Sequence, residues 1–289
     1  MLLEAIMKTP EILLLGGPNS GKTHFAGQLY GRLKRRPEKL KIRSGDGSTT
    51  NLTALESVLR SLEDGNAAEH TPAEQYDQII FPLIDSDENK LDLYWPDYGG
   101  EQLKQLFEQR EVPAAWRERL VSSEGWMLFI RLSSETTYPD AIAKLASLPE
   151  ERPKENLRLE TWDANAYWIE LIQIICSVAG YGTTAAQNKP PLAIFLSCYD
   201  ENTTDGKTPS EVLKTKLPLF YQFINSNWLK DSLSIWGVSA LGKTLTPESN
   251  DDSFIDEGPE FQGWVVEPDS HEQNSDLTAP ISWLLDKTL

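Results

Sequence analysis

The run Gly16-Gly17-Pro18-Asn19-Ser20-Gly21-Lys22-Thr23 sets two glycines five positions apart and closes on Lys-Thr, the G-x-x-x-x-G-K-[ST] spacing of a phosphate-binding loop. Without side chains at Gly16 and Gly21 the backbone can curl with its N–H groups inward, a nest for phosphate oxygens. Lys22 then reaches the β- and γ-phosphates, and the Thr23 hydroxyl ligates Mg²⁺. Asn19, Ser20 and His24 belong to the same curl, where the helix that follows adds its positive N-terminal end. A second group of residues fits the same chemistry. In Asp97-Tyr98-Gly99-Gly100-Glu101, a carboxylate at a strand end can hold Mg²⁺ through water, and Gly100 can turn its backbone N–H toward a γ-phosphate.

Elements of the right kind flank both groups. Residues 12–15 are a continuous apolar run, expected as a buried strand, and residues 24–33 have the spacing of an amphipathic helix. Residues 76–85 and 91–95 read as strands joined by the turn-rich segment 86–90, a β-hairpin that ends at the D-x-x-G group. Further strands are expected over 126–132, 192–196 and 233–238. Helical spacing marks 52–63 and 163–179, the latter with Trp168, Leu171, Ile172, Ile175, Cys176 and Ala179 on one face. A short apolar helix is expected over 282–285.

A P-loop followed by a hairpin and D-x-x-G resembles the Ras-like and translation-factor class of GTPases. The resemblance implies a three-layer α/β P-loop NTPase fold: a mainly parallel sheet with helices on both faces and one antiparallel strand from the hairpin. It implies bound GTP or GDP with Mg²⁺. It also assigns Thr71, in Glu69-His70-Thr71-Pro72, as the switch threonine over Mg²⁺ and the γ-phosphate, with Thr49 and Thr50 as rivals farther upstream. Its base-reading aspartate falls on Asp200 in Ser197-Cys198-Tyr199-Asp200, and its Ser-Ala turn on Ser239 and Ala240. Two departures stand out. Ser197 and Cys198 replace Asn or Thr and Lys, so the lysine stem that covers the base is missing. Glu101 replaces the glutamine that orients the attacking water, which implies slow hydrolysis unless a partner, or Arg110, supplies an arginine. Pro259 to Val266, preceding Asp276-Leu277-Thr278, is similar to the double-GTPase families of bacterial conflict systems, which implies effector or activating partner proteins, products of neighbouring genes among them. The same residues leave two other readings, a pseudo-GTPase that holds nucleotide without turnover and a P-loop ATPase or kinase.

Composition narrows the partners. A net charge of -17 over 289 residues argues against nucleic acid as the main partner. The two cysteines, Cys176 and Cys198, lie in separate apolar runs, which favours a reducing compartment over a disulfide framework. No apolar run is long enough to span a bilayer and no secretory pattern opens the chain, so a cytoplasmic protein is expected. The basic cluster from Arg32 to Arg43 reads as solvated cations near a helix end, with a docking patch as the alternative. Residues 247–276 lack Lys and Arg and are rich in carboxylates, which reads as a solvated loop rather than a metal site. The expected organisation is one GTPase-like domain over 1–289, with a helical insertion at about 134–190 and an acidic C-terminal extension at about 246–289.

Overall fold

The computed structural model describes residues 9–43, 53–68, 79–95, 101–138, 162–182, 185–202 and 206–289. Strand β1 (Glu11–Gly16) runs into the P-loop and helix α1 (Lys22–Arg35). A short β2 (Lys41–Ile42) and helix α2 (Thr53–Glu63) precede the hairpin β3 (Ile79–Ile84) and β4 (Lys90–Trp95). Helices α3 (Glu101–Gln109) and α4 (Ala114–Ser122) lead to β5 (Gly125–Ile130), and α5 (Ala164–Ala179) leads to β6 (Leu192–Ser197). After α6 (Pro209–Lys216) and α7 (Pro218–Asn227) comes β7 (Leu233–Ser239). The chain closes with α8 (Asp252–Asp256), β8 (Trp264–Val266), β9 (Gln273–Asn274) and α9 (Ala279–Thr288).

The strands form one sheet in the order β2-β3-β4-β1-β5-β6-β7-β8-β9. From β4 to β7 all neighbours are parallel, so the central strands are covered on both faces and read as continuous apolar runs. The period of two in a strand divides β1 between the layers. Ile12 and Leu14 pack with α1, α2 and α9, whereas Leu13 and Leu15 pack with α3 to α7. This is the expected three-layer architecture, with helices on both faces and the hairpin strand β3 antiparallel to β4.

Helix ends follow their chemistry. Asp163 caps α5 by accepting the Asn165 N–H at 2.9 Å, and Thr208 with Glu211 forms a reciprocal capping box on α6. Helix α1 carries Gly27 and Gly31 where α2 crosses it, and a Cβ added at Gly27 would lie 2.3 Å from Val58 Cγ1. Gly27→Ala therefore costs packing in spite of its better helix propensity. The expected outcome is a net loss of about 1–2 kcal/mol by denaturant titration.

Four expectations need correction, two of them at the C-terminal end. Residues 247–276 are not a solvated loop throughout: β8 and β9 extend the sheet beyond β7, β8 antiparallel to both neighbours, and α8 packs Phe254 against Val58 and Leu62. The last helix starts at Ala279, with Pro280 in its first turn, where the missing N–H costs nothing. Nor is the basic cluster wholly solvated. Arg32 is 2% exposed, its guanidinium donating to the carbonyl oxygens of Ser275, Gln262 and Gly263, because β8 and its approach lie against α1. The strand expected over 126–132 ends at Ile130, and Leu132 opens a short 3-10 turn.

Candidate nucleotide site

Every loop with chemistry to offer leaves the same edge of the sheet, the C-terminal ends of β1, β5, β6 and β7. The chain crosses from the β4 side of β1 to its β5 side, so the crevice at these ends is the topological switch point of an open α/β sheet.

At the end of β1 the loop is built for an anion. Gly21, at φ 75°, is the N-cap of α1 and provides no side-chain cap, and the first turn holds no acidic residue. The leading N–H groups of α1 are thus left for an external acceptor. Ser20 Oγ donates to the Gly17 carbonyl at 2.8 Å. Lys22 Nζ is folded back on its own loop, donating to the carbonyls of Gly16 and Gly17 and to Ser20 Oγ, with distances of 2.9 Å for the first and last. Burial lowers the Lys22 pKa from 10.5 to about 7. A half-buried, partly desolvated ammonium beside uncapped helical N–H groups fits a polyphosphate, which would supply the missing counter-charge. Thr23 and His24 sit half-buried in the first turn of α1.

At the end of β6, Ser197 is buried and its hydroxyl has no hydrogen-bond partner among the described residues. Cys198 takes a left-handed conformation at φ 48°, and Tyr199 to Glu201 form a 3-10 turn. The Cys198 thiol is pushed up to about 11 by burial and so stays protonated. The Asp200 carboxylate turns toward the end of β7, where Oδ1 accepts the Ser239 hydroxyl at 2.5 Å. Ser239 Oγ in turn accepts the Gly242 N–H at 3.0 Å, which shapes the turn containing Ala240. The structure thus joins the two groups expected to read the base. It also sets them against the P-loop, since a Cβ on Gly21 would lie 3.4 Å from Cys198 Sγ.

Two residues at this edge escaped the sequence reading. Arg131, directly after β5, clamps Glu201 with Nε on Oε2 at 2.9 Å and Nη2 on Oε1 at 2.5 Å, and its Nη1 lies 3.4 Å from the Asn19 carbonyl. Partial burial alone would raise the Glu201 pKa, but hydrogen bonds from Arg131 and Ser133 hold it below the usual carboxylate value. The only local signal was a cation placed immediately after a wholly apolar strand.

Thr71, Asp97 and Gly100 lie outside the described residues, as do Thr49 and Thr50; Glu101 opens α3, and its side chain also lies outside them. Upstream of Thr71, Gly65 and Ala67 are tied to the C-terminal region: the Asp251 N–H donates to Gly65 O at 3.2 Å and the Ala67 N–H to Thr246 O at 3.0 Å. Arg110 follows α3 rather than lying in it, and pairs with Glu170 of α5. Among the described residues, no group of three or more His, Cys, Asp or Glu side chains could hold a metal ion, and no helix is long and apolar enough to cross a membrane.

A bacterial selenocysteine-specific elongation factor, EF-Sec, is similar in structure over 81% of this chain, at 12% identity and a TM-score of 0.33. The chain spans 26% of that protein's length. No curated protein matches it in sequence. The model of the Double-GTPase 1 family matches residues 13–284, from β1 into α9, and the chain belongs to that family.

Proposed function

We propose that the chain is a Mg²⁺-dependent GTP-binding switch that hydrolyses GTP slowly by itself and is read by a partner protein. Family membership carries guanine-nucleotide binding. The observation that carries the finer reading is the Asp200–Ser239 hydrogen bond beside the N-terminus of α1, which puts a carboxylate acceptor within one crevice of the phosphate loop. In this reading the P-loop backbone and Lys22 hold the phosphates, and the free edge of Asp200 accepts from guanine N1–H and the 2-amino group. Ser197 and the turn of Ser239 and Ala240 complete the base pocket. Mg²⁺, when bound, neutralises the β- and γ-phosphate oxygens; Thr23, Thr71 and Asp97 would hold it. Gly100 answers to the γ-phosphate, and Glu101 stands where a water-orienting residue belongs. The switch movement falls on the segments from Gly65 to Thr71 and from Gly99 to Gln109. A single cytoplasmic domain, acting in a conflict system on products of neighbouring genes, completes the proposal.

The test is titration with GTP, GDP and ATP. Asp200→Ala is expected to weaken GTP about 100-fold and leave ATP unchanged, because two charge-assisted hydrogen bonds are lost. ATP binding equal to GTP and untouched by the substitution would favour an ATPase or kinase. Glu101 favours a second reading, a module that retains nucleotide without turnover. Phosphate release below about 1 s⁻¹ that rises with a partner supports the switch, whereas none under any condition supports the module.

A further inference from the structure

We infer that Arg131, pinned by Glu201, is the positioning residue that locks the phosphate loop to the base-reading turn and so sets guanine selectivity; the inference rests on the GTP-binding reading above. Strand β5 lies between β1 and β6 with Phe129 opposite Gly16 and Ile130 opposite Leu196. The residue that follows Ile130 must therefore emerge between the P-loop and the 198–201 turn. A guanidinium suits that place because its planar fork can engage a carboxylate with two parallel hydrogen bonds and still present a third edge. Glu201 takes the fork, and the third edge faces the Asn19 carbonyl of the P-loop at 3.4 Å. Ser133 Oγ donates to the same Glu201 oxygen as Arg131 Nε and fixes that carboxylate from its other side. Glu201 is the neighbour of Asp200 in one 3-10 turn, so the bridge from Asn19 through Arg131 to Glu201 fixes how far Asp200 stands from the phosphates.

This turn, Ser197-Cys198-Tyr199-Asp200, offers no cation of its own. The neighbouring strand supplies one. An isolated, half-exposed ion pair would contribute little. Here the pair joins two loops that one nucleotide must bridge, so its effect appears in selectivity rather than in fold stability.

The experiment measures dissociation constants of GTP, ATP and inorganic triphosphate, each with Mg²⁺, for the full chain and for Arg131→Ala, Arg131→Lys and Glu201→Gln. Triphosphate reads the P-loop alone. Arg131→Ala is expected to cut the GTP-over-ATP preference about tenfold and to change triphosphate affinity less than about twofold. Arg131→Lys, which keeps the charge and loses the fork, should fall between, and Glu201→Gln should reproduce much of the loss even if Arg131→Ala fails to fold. A preference that survives all three substitutions overturns the role of Arg131, as does a parallel loss of triphosphate and GTP. A wild-type chain without guanine preference instead overturns the reading on which the inference rests.

Discussion

Lys22→Met is expected to stabilise the protein near neutral pH while weakening nucleotide binding. The lysine is half-buried in the P-loop, and desolvation lowers its pKa toward about 7 from 10.5 for a free side chain. An unfolded chain therefore binds more protons at this group between those two pH values, and stability rises with pH across that window. Below about pH 7 the cost of burying the ammonium is present in full. Removing the amine relieves that cost and forfeits its hydrogen bonds to Gly16, Gly17 and Ser20. The net gain should be about 1–3 kcal/mol at pH 7 and should shrink toward pH 10. Thermal melts of the two proteins at several pH values measure it, and a destabilised Met variant at pH 7 would sink the argument.

The same proton appears in binding. A bound triphosphate favours the ammonium form, so above about pH 7 the nucleotide must bring a proton into the site. Affinity should then fall by up to about tenfold per pH unit above pH 7 and be flat below it. Calorimetry in buffers of differing ionisation enthalpy counts the proton directly. Lys22→Arg, always charged, should lose the slope. Lys22→Met should weaken GTP by about 2–5 kcal/mol, since the phosphates lose a desolvated charge partner.

What the sequence disclosed and what it hid divide along physical lines. The P-loop was legible because its whole mechanism is contiguous: strand, glycine curl, lysine and helix start lie within a few residues. Strand β6 was legible as a clean apolar run ending in polar residues, and β4 as an alternating segment that closes the hairpin. The contact between Asp200 and Ser239 needed only the order β6 then β7. Arg131 was not legible, since its role arises from β5 being seated between β1 and β6, which no local spacing encodes. Arg32 was read as a solvated helix-end cation because its acceptors are backbone carbonyls more than 200 positions away, and carbonyls leave no mark in side-chain patterns. The strands β8 and β9 are three and two residues long, too short for alternation to show against the acidic background.

Arg32→Ala should cost about 3–5 kcal/mol and should weaken guanine recognition from a distance. The truncation leaves the carbonyls of Ser275, Gln262 and Gly263 without the donor that faces them, opens a cavity beneath α1, and releases Glu38 from an ion pair at 3.6 Å. Gln28, one turn earlier, still holds Pro259 and Gln262 through Nε2, so the segment should loosen rather than detach. Its loosening reaches the turn of Ser239 and Ala240 because Gly263 is pressed on that turn. At φ 80°, with the position of a Cβ only 2.2 Å from the Ala240 carbonyl oxygen, no other residue fits there. Trp264 is paired in register with Ser239 and sets its ring edge-on to Tyr199 at 6.3 Å, so one short strand braces both turns. Denaturant titration should report the stability loss, and hydrogen exchange should show lost protection across 259–276. Below the melting temperature, Arg32→Ala should bind inorganic triphosphate as wild type does and GTP about tenfold more weakly. Gly263→Ala, which keeps the arginine but strains the residue whose carbonyl it holds, should show the same separation. If both variants keep wild-type GTP affinity, the C-terminal strands serve the fold alone and the brace has no part in reading the base.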